Sequence, residues 1–428
     1  MATVYNWPVF NRKRYLIVDL ALGALLLIGL AGVILLLIPN GYERVAWQTQ
    51  QIYVRLRRAV LRLPDTLPTP VLVNTGPATA SALAPTADLT STAGAATALT
   101  PRVASAGTPT PAESPLPPNV EITGFTQVWQ KVNNCGPASL AMALSHWGWK
   151  GTQANTASAL KPNPDDRNVS PYEMADYARQ IGLGAVVRMG GTLPLLKRLV
   201  AAGYPVLLET GLTLPDQGWE GHYTVVSGYS DSKDSFTTQD SLRGPNFQVP
   251  HKDLVDDWRA FNYIFVVLYP THQEAEVLAL LGPDADEKAN AQRAAALAQE
   301  EIPGLSGQPL AFAWFNLGTS LNALGEYAEA ANAYDQARVA QLPWRMLWYQ
   351  TGPLETYYRV GRYADVITLA EATLQQAQNL EEMYYWRGQC LLAQGDKEGA
   401  IADWQEALRY NRNYAAARDA LAMLGVTS

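Results

Sequence analysis

Few residues in this chain can act as a nucleophile or carry a proton near neutral pH. Its 428 residues include two cysteines, Cys135 and Cys390, and four histidines, His146, His222, His251 and His272. Two cysteines so far apart make neither a disulfide framework nor a Cys-rich zinc site. There is no HExxH sequence, and no metal or other cofactor is expected. Cys135 stands in Gln127-Val-Trp-Gln130-Lys-Val-Asn-Asn-Cys135-Gly136-Pro137, ahead of the apolar run Leu140, Met142, Ala143, Leu144. Pro137 suits the first turn of a helix, so Cys135 falls at a helix N-terminus, where the dipole favours a thiolate. A buried structural cysteine is the competing reading, and the residue alone does not separate the two.

The surrounding pattern supplies partners for a thiolate. Helices are expected around Tyr172–Ile181 and Leu193–Ala202. A change to period two and β-branched runs follows, at Pro205–Glu209, His222–Tyr229, Ser235–Asp240 and Tyr263–Leu268. Helices first and a mostly antiparallel sheet afterwards is an α+β layout. His222 is expected to open one strand and Asp240 to close the next, 18 residues on, and a strand pair joined by a short turn brings those ends together. Cys135 would then attack a carbonyl, His222 would shuttle the proton, and Asp240 would hold the imidazole. Gln130 can offer a side-chain amide to the developing oxyanion beside the Cys135 amide, with Gln127 as the alternative donor. Gly136, Gly221 and Trp219, in the turn region Leu212–Glu220, are candidates to line a substrate cleft; a plain surface loop is the alternative. His146 is read as packing or surface, His251 and His272 as solvated, and Cys390 as repeat core.

Gln130-x4-Cys135-Gly-Pro, then His222-Tyr and Asp240, resembles the C39-like papain-fold cysteine peptidases over about 150 residues, 119–270. The resemblance implies a papain-like fold, Cys135 as nucleophile, His222 as general base, Asp240 as its orienting acid and Gln130 as oxyanion donor. Members fused to ABC transporters usually place that Gln one residue further from the Cys. No Walker sequence and no multiple spans accompany it here, so their leader-peptide substrate is not carried over.

The flanks differ in character. Residues 1–118 hold nine basic and five acidic residues, 119–270 twelve and fourteen, and 271–428 eleven and twenty. The overall charge of −7 argues against nucleic acid as a partner. After a basic tail at 1–14, Leu20–Ile38 is an uncharged run of 19 residues, long enough for a hydrocarbon core of about 30 Å. A transmembrane helix is expected at 15–38. The positive-inside rule applied to Arg12-Lys13-Arg14 puts the N-terminus in the cytoplasm and the remaining domains outside, at the cell membrane. Arginines in an amphipathic juxtamembrane segment, 39–63, are a competing signal. Residues 64–118 contain 12 Ala, 11 Thr, 11 Pro and 4 Ser without an aromatic, the composition of a disordered stalk.

Beyond Pro270, a helical connector or diverged repeat is expected at 271–310. Leu324-Gly-Glu-Tyr327, Val360-Gly-Arg-Tyr363 and Gln394-Gly-Asp-Lys397 then recur at steps of 36 and 34 residues. This resembles tetratricopeptide repeats, an all-α array over 311–428 with a capping helix at 415–425 and a degenerate middle copy carrying Pro353 and Leu354. Such arrays bind peptides or proteins, or brace a neighbouring domain. Together these features predict a membrane-anchored cysteine peptidase acting on a peptide or protein, with the repeats recruiting a partner. The alternatives are a non-catalytic scaffold on a papain-like core, and a thiol transpeptidase or amidase acting on cell-wall peptides.

Overall fold

The computed structural model describes residues 64–70, 115–161, 163, 166, 168–214 and 218–427, with Thr49, Ile52 and Leu56 as separate helical positions. The expected membrane span at 15–38, the basic tail, most of 39–63 and residues 71–114 lie outside the described residues. Among those described, no helix is long and apolar enough to cross a membrane.

The first unit is an antiparallel sheet with helices on it. Its strands are β1 (Asn119–Glu121), β2 (Leu183–Arg188), β3 (Val206–Leu214), β4 (Gly218–Ser230), β5 (Ser235–Asp240), β6 (Gly244–Pro250) and β7 (Phe265–Pro270). They lie in the order β2-β7-β3-β4-β5-β6, with β1 also paired to β4. The helices are α1 (Cys135–His146), α2 (Gln153–Leu160), α3 (Pro171–Gln180), α4 (Leu193–Ala201) and α5 (His251–Arg259). Local chemistry explains their starts. Thr152 and Ser170 cap α2 and α3 through reciprocal capping boxes, and Pro171 occupies the first turn of α3. Helix α1 is buried from Gly136 to Leu144, as its unbroken apolar run requires.

Two expectations about strands change. His222 does not open its strand. β3 and β4 form a long hairpin paired from Val206–Val226 out to Leu214–Gly218, so His222 lies within β4. The segment read as a turn, Leu212–Glu220, is largely strand for the same reason. Its outer end does not need the main sheet, because Trp219 is buried against Phe261, Phe312 and Tyr349. His251 is not solvated either. It heads α5, is buried against the Phe236 ring, and pairs through Nδ1 with Asp234 at 2.6 Å.

Helices α6 (Glu274–Leu281) and α7 (Glu287–Glu301) lead into α8 (Gly307–Ala323) and α9 (Tyr327–Val339). A single turn α10 (Met346–Tyr349) follows, then α11 (Gly352–Arg359), α12 (Tyr363–Gln376), α13 (Glu381–Ala393), α14 (Lys397–Tyr410) and α15 (Ala415–Met423). Gly325, Gly361 and Gly395, in the recurring motif, end the first helix of each pair with φ of 78°, 75° and 91°, the left-handed backbone that favours glycine. In the outer pairs a ring of the second helix fills the space over a glycine of the first: Tyr334 over Gly318 and Trp404 over Gly388. The middle pair exchanges the sizes. Leu354 stands at the glycine register and Ala370 at the ring register, both fully buried, which accounts for its degenerate sequence.

The repeats pack on the first unit. Asn316 donates to the Arg259 carbonyl at 2.7 Å, Asn262 to Ser320 Oγ at 2.9 Å, and Arg259 pairs with Glu301 at 3.1 Å. One buried hydrophobic cluster runs through both units. The array therefore packs directly on the sheet unit.

Candidate active site

Cys135 is the first residue of α1 and is partly exposed. The loop before it is fixed by α2. Gln153 Oε1 accepts from the Lys131 amide at 3.0 Å and from Asn134 Nδ2 at 2.9 Å, while Gln153 Nε2 donates to the Trp129 carbonyl at 2.6 Å. Lys161 Nζ donates to the carbonyl of Asn133 at 2.7 Å, and Asn133 takes a φ of 53°. The helix is tied to β4 by Ser139 Oγ, which donates to the Tyr223 carbonyl at 2.9 Å. Gly136 lies under the helix start, where an added Cβ would come within 3.3 Å of Val169. It is a packing position, not the wall of a cleft.

Thr224 is the register partner of Asp240, and His222 lies two residues further along β4. Their buried side chains meet with His222 Nε2 and Asp240 Oδ2 at 3.0 Å. The other carboxylate oxygen, Oδ1, accepts from the amides of Leu242 and Arg243 at 2.7 Å each. Burial opposes charge on Asp240, but the His222 imidazolium and these two amides outweigh it and hold the carboxyl at about 2. Burial also opposes charge on His222. Asp240, helped by the Cys135 sulfur accepting a hydrogen bond from the ring, outweighs it and raises the imidazole to about 10. With Nε2 on Asp240, Nδ1 is the ring nitrogen left for the Cys135 thiol. The structure thus joins His222 to Asp240 and sets Cys135 beside the imidazole.

The two glutamines are held differently. Gln127 Nε2 donates to the main-chain carbonyl of Asp240 at 2.9 Å, so its amide is engaged with the backbone at the end of β5. Gln130 is held by its oxygen, which accepts from Ser241 Oγ at 2.8 Å, and its backbone amide donates to the Ser241 carbonyl at 3.0 Å. That leaves the Gln130 NH₂ as its donating end. Trp219, expected as a cleft residue, is instead sealed between the two units at 8% exposure. Gly221 is partly exposed, with rings beside it: an added Cβ would meet Phe261 at 2.8 Å and Tyr349 at 2.9 Å.

Residues beyond those expected also crowd the site. Glu209 on β3 is opposite Tyr223 and is 2% exposed. Burial raises its carboxyl well above the ordinary value, and the neighbouring Cys135 adds to the rise. A charged residue interrupting Val206-Leu-Leu was the available signal. A neutral Glu209 leaves Asp240 as the ionised carboxylate paired with His222. The folded state holds a proton that the unfolded chain releases above about pH 4.5, so this group costs stability as pH rises. The cost grows by about 1.4 kcal/mol per pH unit until the folded carboxyl itself ionises. Glu209→Gln is therefore expected to raise the urea midpoint at pH 8 and to change it little at pH 4. An equal change at both would show that Glu209 is ionised in the fold. The repeats contribute Tyr349 and Arg345. Arg345 Nη1 donates to the Trp219 carbonyl at 3.3 Å and faces Glu220 at 3.6 Å. Among the described residues, no group of three or more His, Cys, Asp or Glu could hold a metal ion.

Residues 120–265 match the Peptidase_C39 like family, and residues 313–337 and 381–414 match tetratricopeptide repeats. No curated protein matches the chain. Among solved structures, a double glycine motif protease from an AMS/PCAT transporter in complex with the leader peptide is similar at 18% identity, covering 36% of this chain and 95% of its own, with a TM-score of 0.28. The peptidase domain of Streptococcus ComA, a bifunctional ABC transporter involved in a quorum-sensing pathway, is 16% identical over 35% of this chain and all of its own, with a TM-score of 0.29. The first tetratricopeptide repeat of Spaghetti (RPAP3), bound to an HSP90 peptide, is 19% identical over 28% of this chain and 94% of its own, with a TM-score of 0.26. With an antiparallel sheet and its helices at 119–270 and paired helices from Gly307 onward, the chain carries a C39-like peptidase domain followed by tetratricopeptide repeats.

Proposed function

We propose that the chain is a membrane-anchored cysteine peptidase that cleaves peptide bonds through a thiol acyl-enzyme. The observation that carries this reading is the buried His222–Asp240 pair at 3.0 Å beside a cysteine at a helix N-terminus. Asp240 holds Nε2 of the imidazole, and Nδ1 takes the proton of Cys135. The thiolate attacks the substrate carbonyl, and the oxyanion is met by the Cys135 amide and the Gln130 NH₂. His222 gives its proton to the leaving amine, then takes one from the water that hydrolyses the thioester. The same acyl-enzyme would also serve a transpeptidase, in which an amine replaces the water. A peptide or protein substrate is supported by the peptidase-family match, and a protein partner by the repeats.

The anchor rests on the uncharged run Leu20–Ile38. Arg12-Lys13-Arg14 ahead of it supports an N-terminus in the cytoplasm and a peptidase outside, against the arginines that follow the run. Comparison of new protein N-termini in cells carrying the wild-type chain or Cys135→Ala tests the activity. Cleavages that disappear in the variant are expected. Identical sets of N-termini would refute the peptidase reading in favour of a binding protein.

A further inference from the structure

The composition of 64–118 predicts a disordered stalk, because it buries too little apolar surface to order a chain. Within that stretch, Pro64-Asp-Thr-Leu-Pro-Thr-Pro70 is nonetheless docked on the repeats as an extended peptide. Its contacts lie at the C-terminal ends of α9 and α12 and on the segment Leu342–Trp344 between the first two helix pairs. Leu67 is 3% exposed and belongs to the repeat core. Its amide donates to the Leu342 carbonyl at 3.0 Å, Thr66 bridges Pro343 in antiparallel register, and the Asp65 carbonyl accepts from the Trp344 amide at 3.2 Å.

The backbone on either side is read by side chains. Gln376 Nε2 donates to the Pro64 carbonyl at 3.1 Å. Arg338 Nε donates to the Pro68 carbonyl at 2.8 Å, and Arg338 Nη2 to the Thr69 carbonyl at 3.2 Å. Arg338 is itself buried at 2% exposure and oriented by Asp365, whose Oδ1 lies 2.7 Å from Nη1. A guanidinium buried in this way costs free energy unless its donors are used. Asp365 and the two carbonyls of the docked peptide use them.

We infer that the ends of α9 and α12 form a binding site for extended Leu-Pro-Thr-Pro peptides, and that its resident ligand is the chain's own segment 64–70. The proline carbonyls lack a competing amide of their own residue, and proline holds the backbone extended, which lowers the cost of ordering. Leu67 supplies the apolar anchor. Attachment in the same chain gives this ligand the advantage of effective concentration over any peptide in trans. The docking also ties the chain that follows the juxtamembrane region to the segment that continues into Arg345 and Tyr349 against β4.

Association tests the site, independently of turnover. A specific protease site placed after Ala95 in the full chain, purified in detergent, allows the connection to be cut. The 1–95 fragment is expected to co-elute with 96–428 on size exclusion, and Leu67→Asp, which changes no residue of 96–428, to release it. Separation of the unaltered fragment, or equal retention of both, would overturn the inference. A labelled peptide of residues 62–72 is further expected to bind the uncut Leu67→Asp chain at least tenfold tighter than the uncut wild type. Equal affinities would show that the site is not filled in cis.

Discussion

Cys135→Ala will abolish peptide hydrolysis and all labelling of the native chain by a thiol-reactive electrophile, whereas Cys390→Ala will change neither. The two thiols are separated by environment. Cys135 is partly exposed at the start of α1. Cys390 is fully buried on α13, and burial raises its thiol to about 12. The thiolate is the reactive species, so a buried thiol with so high a pKa is inert at neutral pH. One label per native chain is expected, with none in Cys135→Ala, and two per wild-type chain once unfolded. Hydrolysis should fall by at least about a thousandfold in Cys135→Ala, because no other nucleophile in the site can form the thioester. Equal labelling of the two variants would remove Cys135 from the site.

The same contrast shows what can be read without the structure. With two cysteines and four histidines, the choice of Cys135 and His222 follows from order along the chain: a cysteine before Gly-Pro and a helical run, and a histidine near a strand whose neighbour ends in Asp240. Local patterns set those positions, and the recurring glycine motif sets the repeats in the same way. What is not legible depends on contacts between distant segments. Trp219 reads as a loop residue because its neighbours are glycine and acid, yet Phe312 and Tyr349 from the repeats cover it. Leu67 lies in a stretch whose average composition is that of a stalk. One leucine and a few carbonyls satisfied by Arg338 and Gln376 are enough to dock seven residues, and a compositional average erases them. Strand β6, Gly244–Pro250, escapes notice for a similar reason: it begins with glycine and ends with proline, and its pairing to β5 supplies what propensity does not. His251 reads as solvated because its partner Asp234, in the turn between β4 and β5, and its ring neighbour Phe236, on β5, lie well before it in the chain.

Asp240→Asn will leave the chain folded, lower kcat/KM by about a hundredfold or more, and move the alkaline limb of the pH profile down. Charge sets the direction. In the wild type the carboxylate at 3.0 Å stabilises the imidazolium against burial, so His222 keeps its proton until pH rises through about 10. The form able to protonate a leaving amine is therefore present across neutral pH and is lost only above that value. Asparagine keeps the shape and removes the charge, while burial, which lowers the imidazole, remains. An opposite charge at this distance moves a pKa by about one to three, so the limb should fall by that amount. Stability should follow. A raised His222 contributes stability below its ordinary pKa of 6.5, and that contribution fades as pH climbs toward about 10. Loss of Asp240 removes the contribution, so the variant's deficit in urea midpoint should be larger at pH 6 than at pH 10. The substituted amide would also turn either its NH₂ or its oxygen toward His222 Nε2, and only the oxygen preserves the tautomer that presents Nδ1 to Cys135. A merely structural Asp240 would lower stability without moving the pH limb. An unshifted limb with wild-type turnover would therefore take Asp240 out of the proton path, while a shifted limb with an unfolded fraction below detection would place its charge there.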